Sequence, residues 1–117
     1  MHRVLWVDDD PEVRNLAQRY IEVLGHEGDV VENGATALEL MAESRYTVVV
    51  TDIGMPGMSG VELADRIHRL GDNTPVIALT GWGDSIIPSG ETRAGITHVL
   101  AKPIRLNDLR DVLESLD

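Results

Sequence analysis

Three carboxylates, one hydroxyl and one ammonium stand out in this chain because each follows or closes a short apolar run. Asp8 and Asp9 follow residues 4–7, Asp52 follows residues 47–51, Thr80 closes residues 75–80, and Lys102 follows residues 97–101. Gathered in one crevice, the carboxylates would repel and raise each other's pKa unless a cation neutralised them. A hard cation with oxygen ligands meets that need, and Mg2+ suits a site with few carboxylates and several retained waters. Lys102 would offer a mobile positive charge to an anion bound alongside the metal. A metal, a lysine and a hydroxyl donor around one carboxylate make a site for phosphoryl transfer to oxygen, where catalysis is mostly positioning and charge neutralisation. Asp52 is the central member and the expected nucleophile, forming an aspartyl phosphate. That modification would add roughly 1.5 to 2 negative charges, enough to reorder nearby loops.

Taken singly, each residue has a plainer reading. Asp8-Asp9-Asp10 is also what a solvated cap and turn looks like. Asp52 alone is a turn residue, Lys102 alone a surface lysine, and Thr80 alone means little. Their meaning depends on the elements that position them.

Residues 4–7 form a short apolar run that reads as a buried strand. Pro11 suits the first turn of a helix with Asp10 as N-cap, since proline has no N–H to satisfy there. Val13, Leu16, Ala17, Tyr20, Ile21 and Leu24 recur at helical steps until Gly25 ends the helix. A weak second strand is expected at 29–31, then an Asn33-Gly34 turn and a second helix marked by Ala37, Leu38 and Met41. Residues 47–51, nearly all β-branched, predict a third strand ending at Asp52. A glycine-rich loop leads to a third helix with Leu63, Ala64, Ile67 and Leu70 on one face. Residues 75–80 and 97–101 predict strands four and five, and a last helix buries Leu109, Val112, Leu113 and Leu116. Between Gly81 and Gly95, Gly83, Pro88 and Gly90 are poor in a helix interior, so the fourth helix is expected to be short, irregular or replaced by a loop.

Strands that alternate with helices, and that lack polar alternation of their own, indicate a parallel sheet covered on both faces. Five such units predict a flavodoxin-like, doubly wound α/β fold. In such folds ligands sit beyond the carboxyl ends of the strands, near the switch point. That is where Asp8, Asp9, Asp52, Thr80 and Lys102 would meet.

The bulk composition narrows the class. The chain has 117 residues, one domain's length, so residues 1–117 are expected to form a single unit. Apolar residues make up 43% and charged residues 26%, ordinary for a globular protein, and with no Phe the core must rest on aliphatic side chains and Met. The absence of Cys excludes disulfides, thiolate metal sites and a cysteine nucleophile, and is compatible with a reducing cytoplasm. A net charge of -10 argues against direct contact with nucleic acid or an anionic membrane and favours cations or basic partner surfaces. No apolar run approaches the ~20 residues a bilayer span needs. Met1-His2-Arg3 leads directly into a strand without a signal-peptide cleavage region, so a soluble cytoplasmic domain is expected. His2, His26, His68 and His98 lack ligand spacing and are expected at the surface or in local hydrogen bonds.

The segment Val4-Leu-Trp-Val-Asp-Asp-Asp-Pro-Glu-Val13 is similar to the start of response-regulator receiver domains of two-component systems. Thr51-Asp52-Ile53-Gly54-Met55-Pro56-Gly57-Met58-Ser59-Gly60 resembles the family's phosphoacceptor loop. Ile77-Ala-Leu-Thr80-Gly81 and Leu100-Ala-Lys102-Pro103 resemble its fourth and fifth strand ends. The four motifs occur in order along the whole chain.

This resemblance implies that Asp52 accepts phosphate from the phosphohistidine of a histidine kinase or histidine phosphotransfer protein. It implies Mg2+ bound by Asp9, Asp52 and the Gly54 carbonyl, with Asp8 holding a metal water. Thr80 and Lys102 would contact the phosphoryl oxygens, Gly81 would leave room for the group, and the Lys102–Pro103 bond would be cis. Such a domain is not an enzyme on a separate substrate; it catalyses its own phosphotransfer and dephosphorylation. The resemblance fits a stand-alone regulator and the receiver portion of a hybrid histidine kinase alike.

Three positions depart from the family pattern. Val99 stands where an aromatic commonly sits, so a swinging ring is not available and residues 81–95, with Trp82, Ile86 and Ile87, are the expected place for the conformational response. Gly54 and Trp82 stand at the two positions that tune hydrolysis, and neither supplies an acid, base or amide, so a long-lived phosphoryl group is expected. Two other classes stay open. Asp8-x-Asp10 superficially matches the nucleophile motif of a haloacid-dehalogenase-type phosphatase, and a pseudo-receiver that takes no phosphate would share the same fold.

Overall fold

The computed structural model describes residues 1–71, 73–81 and 96–116. Its strands are β1 (Arg3–Val7), β2 (Glu27–Val31), β3 (Val48–Asp52), β4 (Val76–Thr80) and β5 (Ile96–Ala101). Its described helices are α1 (Pro11–Val23), α2 (Gly34–Glu43), α3 (Gly60–Arg69) and α4 (Leu106–Ser115). All strand pairs are parallel, in the order β2-β1-β3-β4-β5. This is the doubly wound fold expected from the alternating runs. The expected short or irregular helix between Gly81 and Gly95, with Trp82, Ile86 and Ile87, lies outside the described residues.

The apolar runs of the central strands β1, β3 and β4 are explained by two cores, one on each face, whereas the edge strands β2 and β5 are more exposed. Successive side chains on a strand point to opposite faces. Leu5, Val7, Val49, Val76 and Ala78 therefore pack under α2 and α3, against Ala37, Leu63, Ala64 and Ile67. Val4, Trp6, Val48, Val50, Ile77 and Leu79 pack under α1 and α4, against Ala17, Ile21, Leu109 and Leu113. Trp6, read from the sequence as core, is fully buried in the second group.

Three of the four described helices start on a capping side chain, whereas α4 starts at Arg105 without one. The Asp10 carboxylate accepts from the Glu12 N–H at 2.9 Å, with Pro11 in the first turn. Ser59 accepts from Glu62 N–H at 3.1 Å and opens α3. Gly25, at φ +79°, closes α1 in the left-handed region where glycine carries no Cβ penalty. Asn33-Gly34 departs from the sequence expectation of a turn. Asn33 is the N-cap of α2, its Oδ1 accepting from Thr36 N–H at 2.8 Å, because the same side chain that favours turns also satisfies an orphan helix donor.

Several boundaries and faces also differ. β2 begins at Glu27, earlier than residue 29, because its backbone pairs in register with β1 from Arg3↔Glu27 onward whatever its side chains. Leu16 is exposed rather than core, since Ala17 and Ile21 set the buried line of α1. Leu70 is 76% exposed because it is the C-cap of α3, where the helix leaves the sheet.

Tyr46 fixes the entry to β3: its hydroxyl donates to the Asp29 carboxylate, and the Arg3 guanidinium lies 5.3 Å from its ring centre. Burial, then the Asp29 carboxylate, push the Tyr46 phenol up to about 12. The fold therefore favours neutral Tyr46, a contribution fully present below the unfolded value of 10.0 and lost as pH rises through about 12. Tyr46→Phe is expected to cost about 1 kcal/mol at neutral pH. In urea titrations at rising pH, that deficit should shrink above pH 10; a deficit independent of pH would mean the phenol is not shifted.

Candidate functional site

The parallel register brings the carboxyl ends of β1, β3, β4 and β5 to one edge of the sheet. Asp8 and Asp9 lie just beyond β1, Asp52 ends β3, Thr80 ends β4, and Lys102 lies just beyond β5. The order β2-β1-β3 reverses direction here, so β1 and β3 send their crossovers to opposite faces and leave a crevice between them.

Carboxylate oxygens of Asp8, Asp9 and Asp52 all lie within 4.8 Å of one another. Asp8 is fully buried, Asp52 is 6% exposed, and Asp9 faces solvent. The Lys102 ammonium bridges two of them, 3.0 Å from Asp8 Oδ2 and 3.2 Å from Asp52 Oδ2. Its own backbone N–H donates to the Thr80 carbonyl at 2.8 Å, tying the lysine to the half-buried end of β4. The Gly54 N–H donates to Asp52 Oδ1 at 3.4 Å, a long bond beside the closer Lys102 contact to Oδ2. The Lys102–Pro103 bond is cis.

Electrostatics follow from this crowding. Burial pushes the Asp8 carboxyl above its usual range; the Asp10 N–H and Lys102 pull it back, and the Asp52 charge adds to the rise. Burial alone would lower Lys102, but hydrogen bonds and charge attraction from Asp8 and Asp52 outweigh it and hold the ammonium above its usual value. One cation thus serves two carboxylates in a cluster of three. The donor set is all oxygen, with no imidazole or thiolate within it, and it fits a hard divalent cation such as Mg2+.

Close packing holds the loop after β3 in place. The Gly60 N–H donates to the Ile53 carbonyl at 3.1 Å, and a Cβ at position 60 would stand 2.4 Å from the Asp52 carbonyl oxygen. Only glycine allows α3 to start this near the Asp52 backbone.

Two contacts were not anticipated from the sequence. Arg14 Nη1 donates to the Asp8 carbonyl at 2.9 Å, and the Tyr20 hydroxyl donates to the Ile104 carbonyl at 3.1 Å. α1 therefore touches both the acidic loop and the segment following Lys102. A signal for Arg14 existed: it lies in the first turns of α1, where side chains lean back toward the helix start. Asp10 does not join the acidic cluster; its carboxylate is spent on the helix cap. His2 is buried, its ring 2.9 Å from Thr47 Oγ1 and 2.8 Å from the Leu113 carbonyl, in keeping with a local bonding role. Val99 lies on the edge strand β5, 46% exposed. No helix among the described residues is long and apolar enough to cross a membrane.

A doubly wound five-stranded parallel sheet with an acidic cluster and a lysine at its carboxyl edge defines a class, and comparison with known proteins agrees with it. Residues 4–114 match the response regulator receiver domain family, and the chain belongs to it. It is similar to the response regulator receiver protein CpdR of Brucella abortus, at 30% identity over 99% of this chain and 97% of that protein. It is 33% identical to the response regulator MprA of a Mycobacterium species over 92% of this chain, but spans only 46% of that longer protein. Among solved structures it resembles the response regulator TrrA of Thermotoga maritima in complex with Mg2+ and BeF, with a TM-score of 0.87 and 31% identity over the full length of both chains.

Proposed function

We propose that this receiver domain is a phosphorylation-dependent signalling switch in which Asp52 takes a phosphoryl group in a Mg2+-dependent reaction and partner binding changes as a result. The observation that carries this reading is the Lys102 ammonium lying between Asp8 and Asp52 in a cluster of three carboxylates. Asp52 Oδ2 meets the Lys102 ammonium at 3.2 Å and Oδ1 accepts a long 3.4 Å bond from the Gly54 N–H, contacts that a metal and a phosphoryl group can replace.

The donor is a phosphohistidine on a histidine kinase or phosphotransfer protein. An Asp52 carboxylate oxygen bonds to phosphorus, the phosphorus–nitrogen bond breaks, and the departing imidazole nitrogen takes up a proton. Asp9, Asp52 and the Gly54 carbonyl would hold the metal, with Asp8 orienting a metal-bound water. Mg2+, when bound, neutralises charge on the carboxylates and on the incoming phosphoryl oxygens. Lys102 moves its charge from the two carboxylates to the phosphoryl group, and Thr80 supplies a hydroxyl donor beside it. No direct contact with nucleic acid or membrane is part of this reading, given the net charge of -10. The setting is cytoplasmic, where histidine kinases present their phosphohistidine.

The test is intact-mass analysis and peptide mapping after incubation with acetyl phosphate and Mg2+. The expected result is one phosphoryl group on Asp52, absent in Asp52→Asn. Labelling of Asp8 instead would favour a phosphatase of the haloacid-dehalogenase type, and no mass gain would favour a pseudo-receiver. Engagement of Asp10 as a helix cap weighs against the phosphatase, which needs that second carboxylate in the site.

A further inference from the structure

We propose that Arg14 is a positioning residue for the metal site: by holding the Asp8 carbonyl, it fixes the peptide plane that carries Asp9 and so aims the Asp9 carboxylate toward Asp52. The inference rests on the Mg2+ site proposed above and adds to it a residue that touches neither metal nor phosphate.

The Asp8 carbonyl and the Asp9 N–H belong to one rigid peptide plane. β1 ends at Val7, so the Asp8 carbonyl lies past the end of the strand, while the Asp8 N–H still donates to Val31 O at 3.0 Å. The partner of that carbonyl is Arg14 Nη1, at 2.9 Å. The following plane, containing the Asp10 N–H, is held by the bond from that N–H to Asp8 Oδ1 at 2.9 Å. Asp9 thus sits between two planes, each fixed by one side chain. Asp9 itself is exposed and gains little from packing. Its place within 4.8 Å of Asp8 and Asp52 depends on these two restraints.

Arg14 is well placed for the task. It sits in the first turns of α1, its backbone N–H bonded to Asp10 O at 3.0 Å, so its stem is anchored to the same loop that its head restrains. Helical side chains lean toward the N-terminus, which carries the guanidinium back over the end of β1. The planar guanidinium presents its donors in a fixed fork, whereas an ammonium on a flexible stem holds a single carbonyl with less directional control.

A rival role makes the opposite forecast. If Arg14 were only a positive charge near an acidic cluster, it would repel an incoming cation, and its removal would tighten Mg2+ binding. If it positions Asp9, its removal weakens binding, because partners that orient metal ligands typically matter by about 10- to 100-fold in affinity. The sign separates the two.

The experiment is calorimetric titration of the phosphate-free protein with MgCl2 for wild type, Arg14→Gln and Arg14→Lys. It is paired with acetyl phosphate labelling of Asp52 as a function of Mg2+ concentration. Positioning gives the affinity order wild type, then Arg14→Lys, then Arg14→Gln, with Arg14→Gln at least about tenfold weaker. The labelling rate at saturating Mg2+ should stay within about threefold of wild type, so the loss appears in half-saturation and not in the maximal rate. Tighter or equal binding by Arg14→Gln overturns the inference and leaves the Mg2+ site intact. Absence of Mg2+ binding by wild type overturns the site itself, and the inference with it.

Discussion

Lys102→Met is expected to bind Mg2+ more tightly than wild type while its phosphorylation on Asp52 slows by about two orders of magnitude or more. The two effects have one origin. In the structure the Lys102 ammonium lies 3.0 Å from Asp8 and 3.2 Å from Asp52, the carboxylates where a divalent cation would bind. It therefore competes for the same negative charge, and methionine, with a stem of similar length and no charge, removes the competitor. In the proposed transfer the ammonium would face the phosphoryl oxygens, and loss of one preorganised charge at that stage costs about 100- to 1000-fold in comparable sites. The metal-free variant should also be less stable by about 1–3 kcal/mol, since removing one partner of a partly buried ion pair leaves like charges uncompensated. Adding Mg2+ should restore more melting temperature to the variant than to wild type. Titration calorimetry, a labelling time course and melts with and without Mg2+ check the three parts. Weaker Mg2+ binding in the variant would mean that Lys102 supports the ion rather than competing with it.

The readable part of this molecule was the part written as periodicity. β3 is a run of valines with Thr51 and Asp52, buried on both faces, and no polar alternation competed with that reading. The Asp10-Pro11 start and Gly25 end of α1 were legible because caps depend on a few adjacent residues. Once the parallel order was inferred, the convergence of Asp8, Asp9, Asp52, Thr80 and Lys102 on one edge followed from topology, not from any one motif. What stayed hidden depends on distant pairing. β2 begins at Glu27 because β1 supplies its hydrogen bonds, which the sequence of β2 does not announce. Leu16 and Leu70 carry the right residue type at the right period, yet Leu16 lies off the line that Ala17 and Ile21 bury and Leu70 is the C-cap where α3 leaves the sheet. Arg14 and Tyr20 reach carbonyls on other segments, and a carbonyl has no residue type to read. Residues 82–95, where Gly83, Pro88 and Gly90 break the helical pattern, lie outside what the structure describes.

Asp8→Asn is expected to reverse the balance seen with Lys102: a more stable protein without Mg2+ and a much poorer one at using it. Asp8 has no solvent exposure, and burial, the largest influence on its carboxyl, together with the Asp52 charge outweighs the help it receives from the Asp10 N–H and Lys102. A fold that pushes a carboxyl upward prefers its neutral form, so a neutral residue of the same shape should be tolerated better than the native charge. Asparagine keeps an oxygen to accept from the Asp10 N–H, and Lys102 keeps Asp52 as its counter-ion. A gain of about 1 kcal/mol is expected in melts with chelator present. With Mg2+ present the order should invert. A ligand at a hundredfold excess over its dissociation constant stabilises wild type by about 2.7 kcal/mol, and the variant, binding at least about tenfold more weakly, receives less. Phosphorylation of Asp52 should fall in step with Mg2+ occupancy. If Asp8→Asn instead melts below wild type in chelator, the attraction of Lys102 exceeds the penalty of burial, and Asp8 is held in place for stability. If it melts above, the fold tolerates a destabilising buried charge at the end of β1 because the cation requires it there, the expected trade where a site is built for function against its own stability.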